Sequence, residues 1–175
     1  MSRTSVGTRT QANVNVWAST ITKAIAFTME FMFRVATGRG LDPTPLQENF
    51  KKIEAGLATW LSLRQLKSVR IEAYEGQECV ERWELGFSFN ATPLAPGSQQ
   101  PCQLSQDALE KTIAGMEKLP PGTQFRVVAM LPPDAAVVTG WGQAEMLDDT
   151  KLMHHDLGPC MDLHHILGKL GLWKR

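Results

Sequence analysis

The residues best suited to chemistry crowd into the C-terminal part of the chain. They include every histidine of the sequence and are His154, His155, Asp156, Cys160, Asp162, His164 and His165. Imidazole, thiolate and carboxylate groups bind zinc, and residues four apart, such as Cys160 and His164, meet on one face of a helix. A small metal-dependent enzyme is therefore one interpretation of the chain.

The spacing of these groups argues against a metal centre. It fits no recognised zinc motif, and a Gly-Pro pair at residues 158–159 separates the first two histidines from the last two. We therefore expect no metal. His154, His155, Cys160 and His164 are the residues that would hold an ion if one were bound.

Other catalytic signatures are missing from the sequence. Gly38-Arg39-Gly40 is too short for a dinucleotide fingerprint, and there is no P-loop and no Gly-x-Ser-x-Gly elbow. Glu81 and Glu84 flank Arg82 but point to opposite faces of a predicted strand, so they form no acid/base dyad. We expect a solvated strand face with a cross-strand ion pair there. The sequence thus predicts neither catalytic activity nor a cofactor.

Composition limits the class of protein. The 175 residues fit one domain, and 18 basic and 18 acidic residues give a formal net charge of zero. No overall field attracts nucleic acid or an anionic membrane. The longest apolar region, residues 21–36, contains three charged residues and is no membrane span. The odd number of cysteines argues against a disulfide framework, so we expect a cytoplasmic protein.

The clearest structural pattern covers residues 68–90. Apolar residues alternate with polar ones in two arms, and Trp83, Leu85, Phe87 and Phe89 share one face of the second arm. Such alternation is typical of half-buried strands, and the Gly-containing residues 75–78 supply the reversal of a β-hairpin.

Helical periodicity precedes and follows this hairpin. Residues 14–37 predict a central helix that is apolar on nearly all sides, and residues 42–61 predict a second helical region, with a break at Gly56. Ser105 is a suitable N-cap for a third helix, which we expect to end at Pro120. Residues 1–11 are polar and read as a flexible arm.

The C-terminal third is harder to assign. Residues 124–131 alternate as a strand that ends at Pro132-Pro133, and Phe125, Val127 and Ala129 face one way. Residues 132–175 have no core pattern of their own. Within them, residues 162–175 look helical or irregular.

The stretch Val80-Glu81-Arg82-Trp83-Glu84-Leu85, placed after the helical region and a first strand, resembles the hairpin motif of HORMA-domain proteins. The resemblance covers residues 14–131 in the order of the elements. It implies an α+β fold, in which a three-helix layer packs on a mostly antiparallel sheet. It also implies a flexible arm at residues 1–13, a HORMA core at 14–131 and a "safety belt" at 132–175. Because no strands are predicted near the end of the chain, the belt is expected to be shortened or atypical.

The resemblance also implies a function. HORMA proteins clasp an extended closure-motif peptide that is added to the sheet, and the bacterial members control a cGAS-like nucleotidyltransferase (CD-NTase) in CBASS antiphage operons. An AAA+ ATPase resets the clasp by pulling on the N-terminal arm. This chain is similar to those members in its length and its opening Ser/Thr/Arg arm. It would be the peptide-binding adaptor, or alternatively the partner or peptide donor in a two-HORMA operon.

The resemblance assigns roles to three sets of residues. The peptide-binding edge strand would comprise Phe125, Arg126, Val127, Val128 and Ala129. The belt would include Val137, Val138 and Trp141, and the handle for the ATPase would include Arg3, Thr4 and Arg9. Direct binding to nucleic acid or to membranes is not expected.

Overall fold

The computed structural model describes the backbone of residues 6–175 and the side chains of residues 16–175. In chain order the elements are α1 (Val6–Gly38), α2 (Thr44–Glu48), α3 (Phe50–Ser62), β1 (Ser68–Glu75), β2 (Glu78–Phe89), β3 (Gln103–Leu104), α4 (Asp107–Ala114), β4 (Gln124–Met130), β5 (Met153–Asp162) and β6 (Ile166–Lys174). Helices α1, α3 and α4 pack together on a six-stranded antiparallel sheet of order β3-β5-β6-β2-β1-β4. The predicted α+β class is confirmed.

Helix α1 is the central helix of the domain, as its sequence predicts. Phe31, Met32, Val35 and Ala36 are fully buried around its circumference. The helix begins at Val6, so it includes residues 6–13 of the segment that the sequence predicts as an arm. The flexibility of that segment stays a prediction.

The second helical region is divided at Asn49 and not at the predicted break, Gly56. Asp42 accepts hydrogen bonds from the amide and hydroxyl of Thr44, the first residue of α2. Helix α3 continues through Gly56 without interruption.

The third predicted helix is shorter than the sequence indicates. Ser105 accepts a hydrogen bond from the amide of Asp107 at the start of α4, and Leu109 is fully buried. The helix ends at Ala114, well before the predicted end at Pro120.

The hairpin of β1 and β2 lies between β6 and β4 in the sheet, and its strands meet at residues 75–78 as predicted. Val69, Ile71, Trp83 and Leu85 are buried on the face that meets the helices. The alternation of residues in both arms therefore gives the correct buried face.

The C-terminal residues differ most from the prediction. Residues 162–175, expected to be helical or irregular, form the end of β5 and all of β6. Strand β6 pairs with β2 on one side and β5 on the other, and Ile166, Leu170 and Leu172 join the core. The expected shortening of the C-terminal segment is thus wrong. Two glycines in β6 and two register shifts in β5 obscure the alternation in the sequence.

A buried ion pair joins the hairpin to the end of α1. Arg39 donates to both carboxylate oxygens of Glu81, at 2.8 and 3.0 Å, and the indole of Trp83 donates to the same carboxylate at 2.6 Å. Arg39 also donates to the carbonyl of Glu117, beyond α4. This network satisfies the charges that the fold buries.

A long connection without regular structure, residues 131–152, runs from β4 to β5 and is called the crossover segment below. Since β4 and β5 lie towards opposite edges of the sheet, this segment must cross from one side of the domain to the other. Within residues 6–175, no helix is both long and apolar enough to cross a membrane.

Candidate functional site

Strand β4 forms one edge of the sheet and pairs with β1 alone among the described strands. Phe125, Val127 and Ala129 pack against the core, as their alternation predicts. The residues predicted to bind a peptide, 125–129, therefore all lie on an edge strand.

The direction of the backbone groups in β4 follows from the pairing of its neighbours. Phe87 donates its N–H to the carbonyl of Lys67, so in the register of this hairpin the backbone groups of Val69, Ile71 and Ala73 point towards β2. The even-numbered residues of β1 point towards the even-numbered residues of β4, with which they pair. The N–H and C=O groups of Phe125, Val127 and Ala129 therefore point away from β1. We call these groups the β4 edge.

The opposite edge of the sheet is protected against strand addition. Strand β5 has register shifts between Asp156 and Gly158 and between Pro159 and Met161, and its last residues are covered by β3. Bulges and proline block the approach of another strand. The pairing of β4 with β1 runs without a register shift, so the β4 edge offers a regular row of donors and acceptors.

The first half of the crossover segment is anchored on α3. The indole of Trp60 donates to the carbonyl of Ala136 at 2.7 Å, and the indole of Trp141 donates to the carbonyl of Lys52 at 2.9 Å. The two tryptophan rings pack edge to face with centroids 5.0 Å apart. Of the predicted belt residues, Val138 and Trp141 thus pack against the domain, whereas Val137 is 96% exposed.

The second half of the segment is anchored on the sheet and on the hairpin turn. Arg126 donates to the carbonyl of Glu145 at 2.5 Å. Asp148 exchanges backbone hydrogen bonds with Gln77 and Cys79 at 2.9 and 2.8 Å. The crossover segment is therefore anchored at α3 before it passes β4, and at Arg126 and the hairpin turn after it.

A groove with a volume of about 470 Å³ lies between these anchors. The chain from Val127 to Leu131 forms one wall, and Trp60 and the crossover segment up to Ala144 form the other. An extended chain that entered this groove would meet the β4 edge.

The outer face of the hairpin is charged but not solvated, which corrects the sequence-based expectation. Arg82 donates to Glu72 at 3.0 Å and to Asp149 of the crossover segment at 2.9 Å, and Arg126 donates to the other oxygen of Glu72 at 2.9 Å. Glu72 is 3% exposed. The predicted cross-strand ion pair exists, but the crossover segment covers it.

This arrangement shifts two pKa values. Burial disfavours the charged form of Arg82, but the charges of Glu72 and Asp149 outweigh that cost and raise its pKa. Burial raises the pKa of the nearby Cys79 thiol, and the carboxylate of Glu72 raises it further. Arg82 therefore stays charged, and Cys79 stays a neutral thiol.

The histidines and cysteine that suggested metal chemistry are separated. His154 stacks on Trp173 with ring centroids 4.3 Å apart, and burial raises the pKa of the Cys160 thiol to about 12. His164, at the turn after β5, contacts the carbonyl of Thr92 through Nε2 at 2.5 Å. No cluster of three or more His, Cys, Asp or Glu side chains suited to a metal occurs among the side chains from residue 16 onward.

The predicted handle residues are mostly outside the described part of the chain. Arg3 and Thr4 precede the first described residue, and Arg9 is placed only as part of the backbone of α1. Their predicted role stays a prediction.

Sequence reasoning missed Gly56, Trp60 and Asp149, which hold the crossover segment. A Cβ atom on Gly56 would lie 2.6 Å from Nε1 of Trp141, so only glycine leaves room for that indole. The available signal was a glycine inside an uninterrupted helical pattern, which is better explained by close packing than by a break.

The model of the family described as bacterial HORMA domain 2 matches residues 3–175. The chain belongs to this family, whose HORMA domains are in general binding adaptors without catalytic activity. No curated protein sequence matches the chain significantly.

Solved structures share the fold at low sequence identity. A chain of a mitotic checkpoint complex is 13% identical with a TM-score of 0.69, over 91% of this chain and 96% of that chain. The C. elegans protein HTP-2 bound to the HIM-3 closure motif is 11% identical with a TM-score of 0.52, over 77% and 71% of the two chains. A chain of the E. coli MS115-1 HORMA:CdnC:Trip13 complex is 10% identical with a TM-score of 0.51, over 86% and 87%.

Proposed function

We propose that this protein is a regulatory adaptor that clasps an extended peptide and thereby controls a CD-NTase in bacterial antiphage signalling. The observation that carries the proposal is the β4 edge. Phe125, Val127 and Ala129 turn their backbone groups away from β1, and no other described strand pairs with them. Val127 and Ala129 also line the groove, whose other wall is the crossover segment.

The physical basis is strand addition with a retaining segment. Backbone hydrogen bonds to Phe125, Val127 and Ala129 supply affinity for an extended chain with little dependence on its side chains. The crossover segment, anchored at Trp141 and Asp149, must detach before such a chain can leave sideways. Slow dissociation then sets the lifetime of the complex.

The proposed partners are a CD-NTase, an AAA+ ATPase and a closure-motif peptide, which a second HORMA protein could supply. The E. coli complex of a HORMA protein with CdnC and Trip13 supports this choice at the level of the shared fold. We expect the protein to act in the cytoplasm, where a nucleotidyltransferase finds its substrates.

Amide exchange measured by NMR tests the clasp. The full-length protein is mixed with the CD-NTase and any second HORMA protein encoded beside it. We expect the amides of Phe125, Val127 and Ala129 to become protected. The amides of Arg126 and Val128, already bonded to β1, serve as internal controls. If a partner binds but the three edge amides exchange as fast as in the free protein, the proposed clasp at the β4 edge is wrong.

Activity tests the regulatory role. We expect the CD-NTase to synthesise its nucleotide product only when this protein and the peptide are present. Unchanged synthesis with and without the protein would contradict the adaptor role.

The handle at Arg3, Thr4 and Arg9 has its own test. Deletion of residues 1–11 is expected to leave partner binding intact, because chain termini tolerate truncation where few contacts are lost. ATPase-driven release should be abolished, because the proposed handle is then absent. Release at the parental rate from the deleted protein would reject the handle.

The alternatives have less support. Strand β6 lies between β2 and β5, so residues 166–174 are part of the sheet and are not free to be donated as a peptide. The residues proposed for a metal-dependent enzyme, including Cys160 and His164, do not converge in the described structure.

A further inference from the structure

A second, smaller pocket adjoins the groove at the start of β4. It has a volume of about 180 Å³, and Leu46, Ile53, Phe125, Val127 and Trp141 form its apolar walls. Apolar cavities of about 150 Å³ accept a benzene-sized group, so the pocket has room for one large apolar side chain.

The pocket exists because Trp141 lies close to helix α3. A Cβ atom on Gly56 would lie 2.6 Å from Nε1 of Trp141 and 2.8 Å from the ring of Trp60. Any larger residue at position 56 would push Trp141 away from the helix. Gly56 therefore determines where the wall of the pocket stands.

The rim of the pocket is basic. Lys52 lines it, with its aliphatic chain against Gly140. Among the side chains from residue 16 onward, no carboxylate lies within ion-pair distance of Lys52, whereas the other basic residue of the pocket, Arg126, is bound to Glu72. A ligand with a carboxylate at this point would complement the free charge.

We propose that the clasped segment is selected by one large apolar side chain, which enters the pocket beside Trp141, and by an acidic residue next to it, which pairs with Lys52. This inference rests on the proposed function, because it concerns a chain already paired with the β4 edge. Side chains of an added strand alternate between the two faces, so a residue that faces the helices between Phe125 and Val127 reaches the pocket.

The test begins with a phage-displayed library of random dodecapeptides, selected on the full-length protein. Among peptides that protect the amides of Phe125, Val127 and Ala129, we expect a fixed large apolar position next to Asp or Glu. Replacement of that apolar residue by Ala or Asp should weaken binding at least about tenfold, since a buried side chain of this size contributes that much.

Variants of the protein test whether the pocket and Lys52 recognise the selected peptide. Gly56→Ala and Trp141→Ala should each weaken binding of the selected peptide about tenfold. Gly115→Ala, where an added Cβ meets no atom closer than 3.6 Å, should change it less than about twofold. Lys52→Gln should remove the preference for the acidic residue, and Lys51→Gln should retain it. Circular dichroism confirms that each variant is folded, and Trp141→Ala provides a second route if Gly56→Ala is not.

The outcomes separate the two proposals. The inference is overturned, and the clasp is retained, if the peptides that protect the edge amides share no fixed apolar position. The same conclusion follows if the Gly56→Ala and Gly115→Ala variants bind the selected peptide equally. Absence of any peptide that protects these amides would overturn the clasp and the inference together.

Discussion

Arg82 of the hairpin and Asp149 of the crossover segment are joined by an ion pair of 2.9 Å. The side chain of Arg82 is 9% exposed and that of Asp149 is 39% exposed, so the pair is shielded on one side only. Arg82 also binds Glu72 within the sheet. The ion pair with Asp149 therefore anchors the crossover segment to the charged side chains Arg82 and Glu72 of the sheet.

Removal of one charge should loosen this tie. Asp149→Asn is expected to lower the free energy of unfolding by about 1 kcal/mol, the upper range for a partly exposed pair, and to speed release of a clasped peptide. Chemical denaturation and dissociation kinetics measure both effects. Asp156→Asn breaks the exposed pair with Lys169 and is the control, expected to release peptide like the parent.

Arg126 and Val128 share the outer face of β4, and strand addition through the backbone depends little on such side chains. The structure separates them, because Arg126 binds the crossover segment at the carbonyl of Glu145. Arg126→Gln should accelerate peptide release several-fold, about 1 kcal/mol for a lost charged hydrogen bond, while Val128→Thr should not. Equal dissociation rates for the two variants would contradict this role of Arg126.

The buried pair of Arg39 and Glu81 should be critical for folding. Arg39→Met leaves the Glu81 carboxylate buried without its cation and should cost about 3–5 kcal/mol in denaturant unfolding. The double variant Arg39→Met/Glu81→Met should recover part of this loss, because no charge is then left unpaired. Losses that simply add in the double variant would show that the two residues act independently.

Trp83 packs in the core and is 1% exposed. Trp83→Ala should lower the free energy of unfolding by about 3–5 kcal/mol, the usual cost of truncating a buried aromatic residue. Trp173→Ala, at a half-buried position on the outer face, should cost less. If the Trp83 variant melts like the parent, the buried face of β2 has been assigned incorrectly.

The three cysteines should differ in reactivity. Cys102 is exposed, whereas Cys79 and Cys160 are buried and have raised thiol pKa values. A thiol reagent should modify Cys102 in the native protein and the other two only after unfolding. If the folded Cys79→Ser variant is labelled rapidly at Cys160, then β5 is accessible to the reagent and the prediction is wrong.

The raised pKa of Cys160 also predicts a pH dependence. The folded protein holds this proton up to about pH 12, whereas the reference pKa of the thiol is 9.0. The folded state therefore binds more protons than the unfolded state between these values, and stability should fall as the pH rises through this interval. Cys160→Ala should show a smaller decline in denaturant titrations from pH 8 to about pH 10.

The sequence by itself determined the elements whose patterns are local. The hairpin, the buried face of β4 and the central helix α1 each follow from alternation or helical periodicity within one segment. The edge residues 125–129 could also be predicted from the sequence, because Pro132-Pro133 marks the end of an alternating strand. These features depend on neighbours in the chain, which a sequence displays directly.

Only the tertiary structure decided the remaining features. Strand β6 has a weak pattern of its own and is fixed by pairing with β2 and β5 on its two sides. Glu72 and Arg82 look like solvated residues until the crossover segment covers them. Gly56 looks like a helix break until Trp141 is seen to occupy the space above it. Each depends on a residue far away in the chain, because burial, pairing and steric room are set by what the fold places opposite.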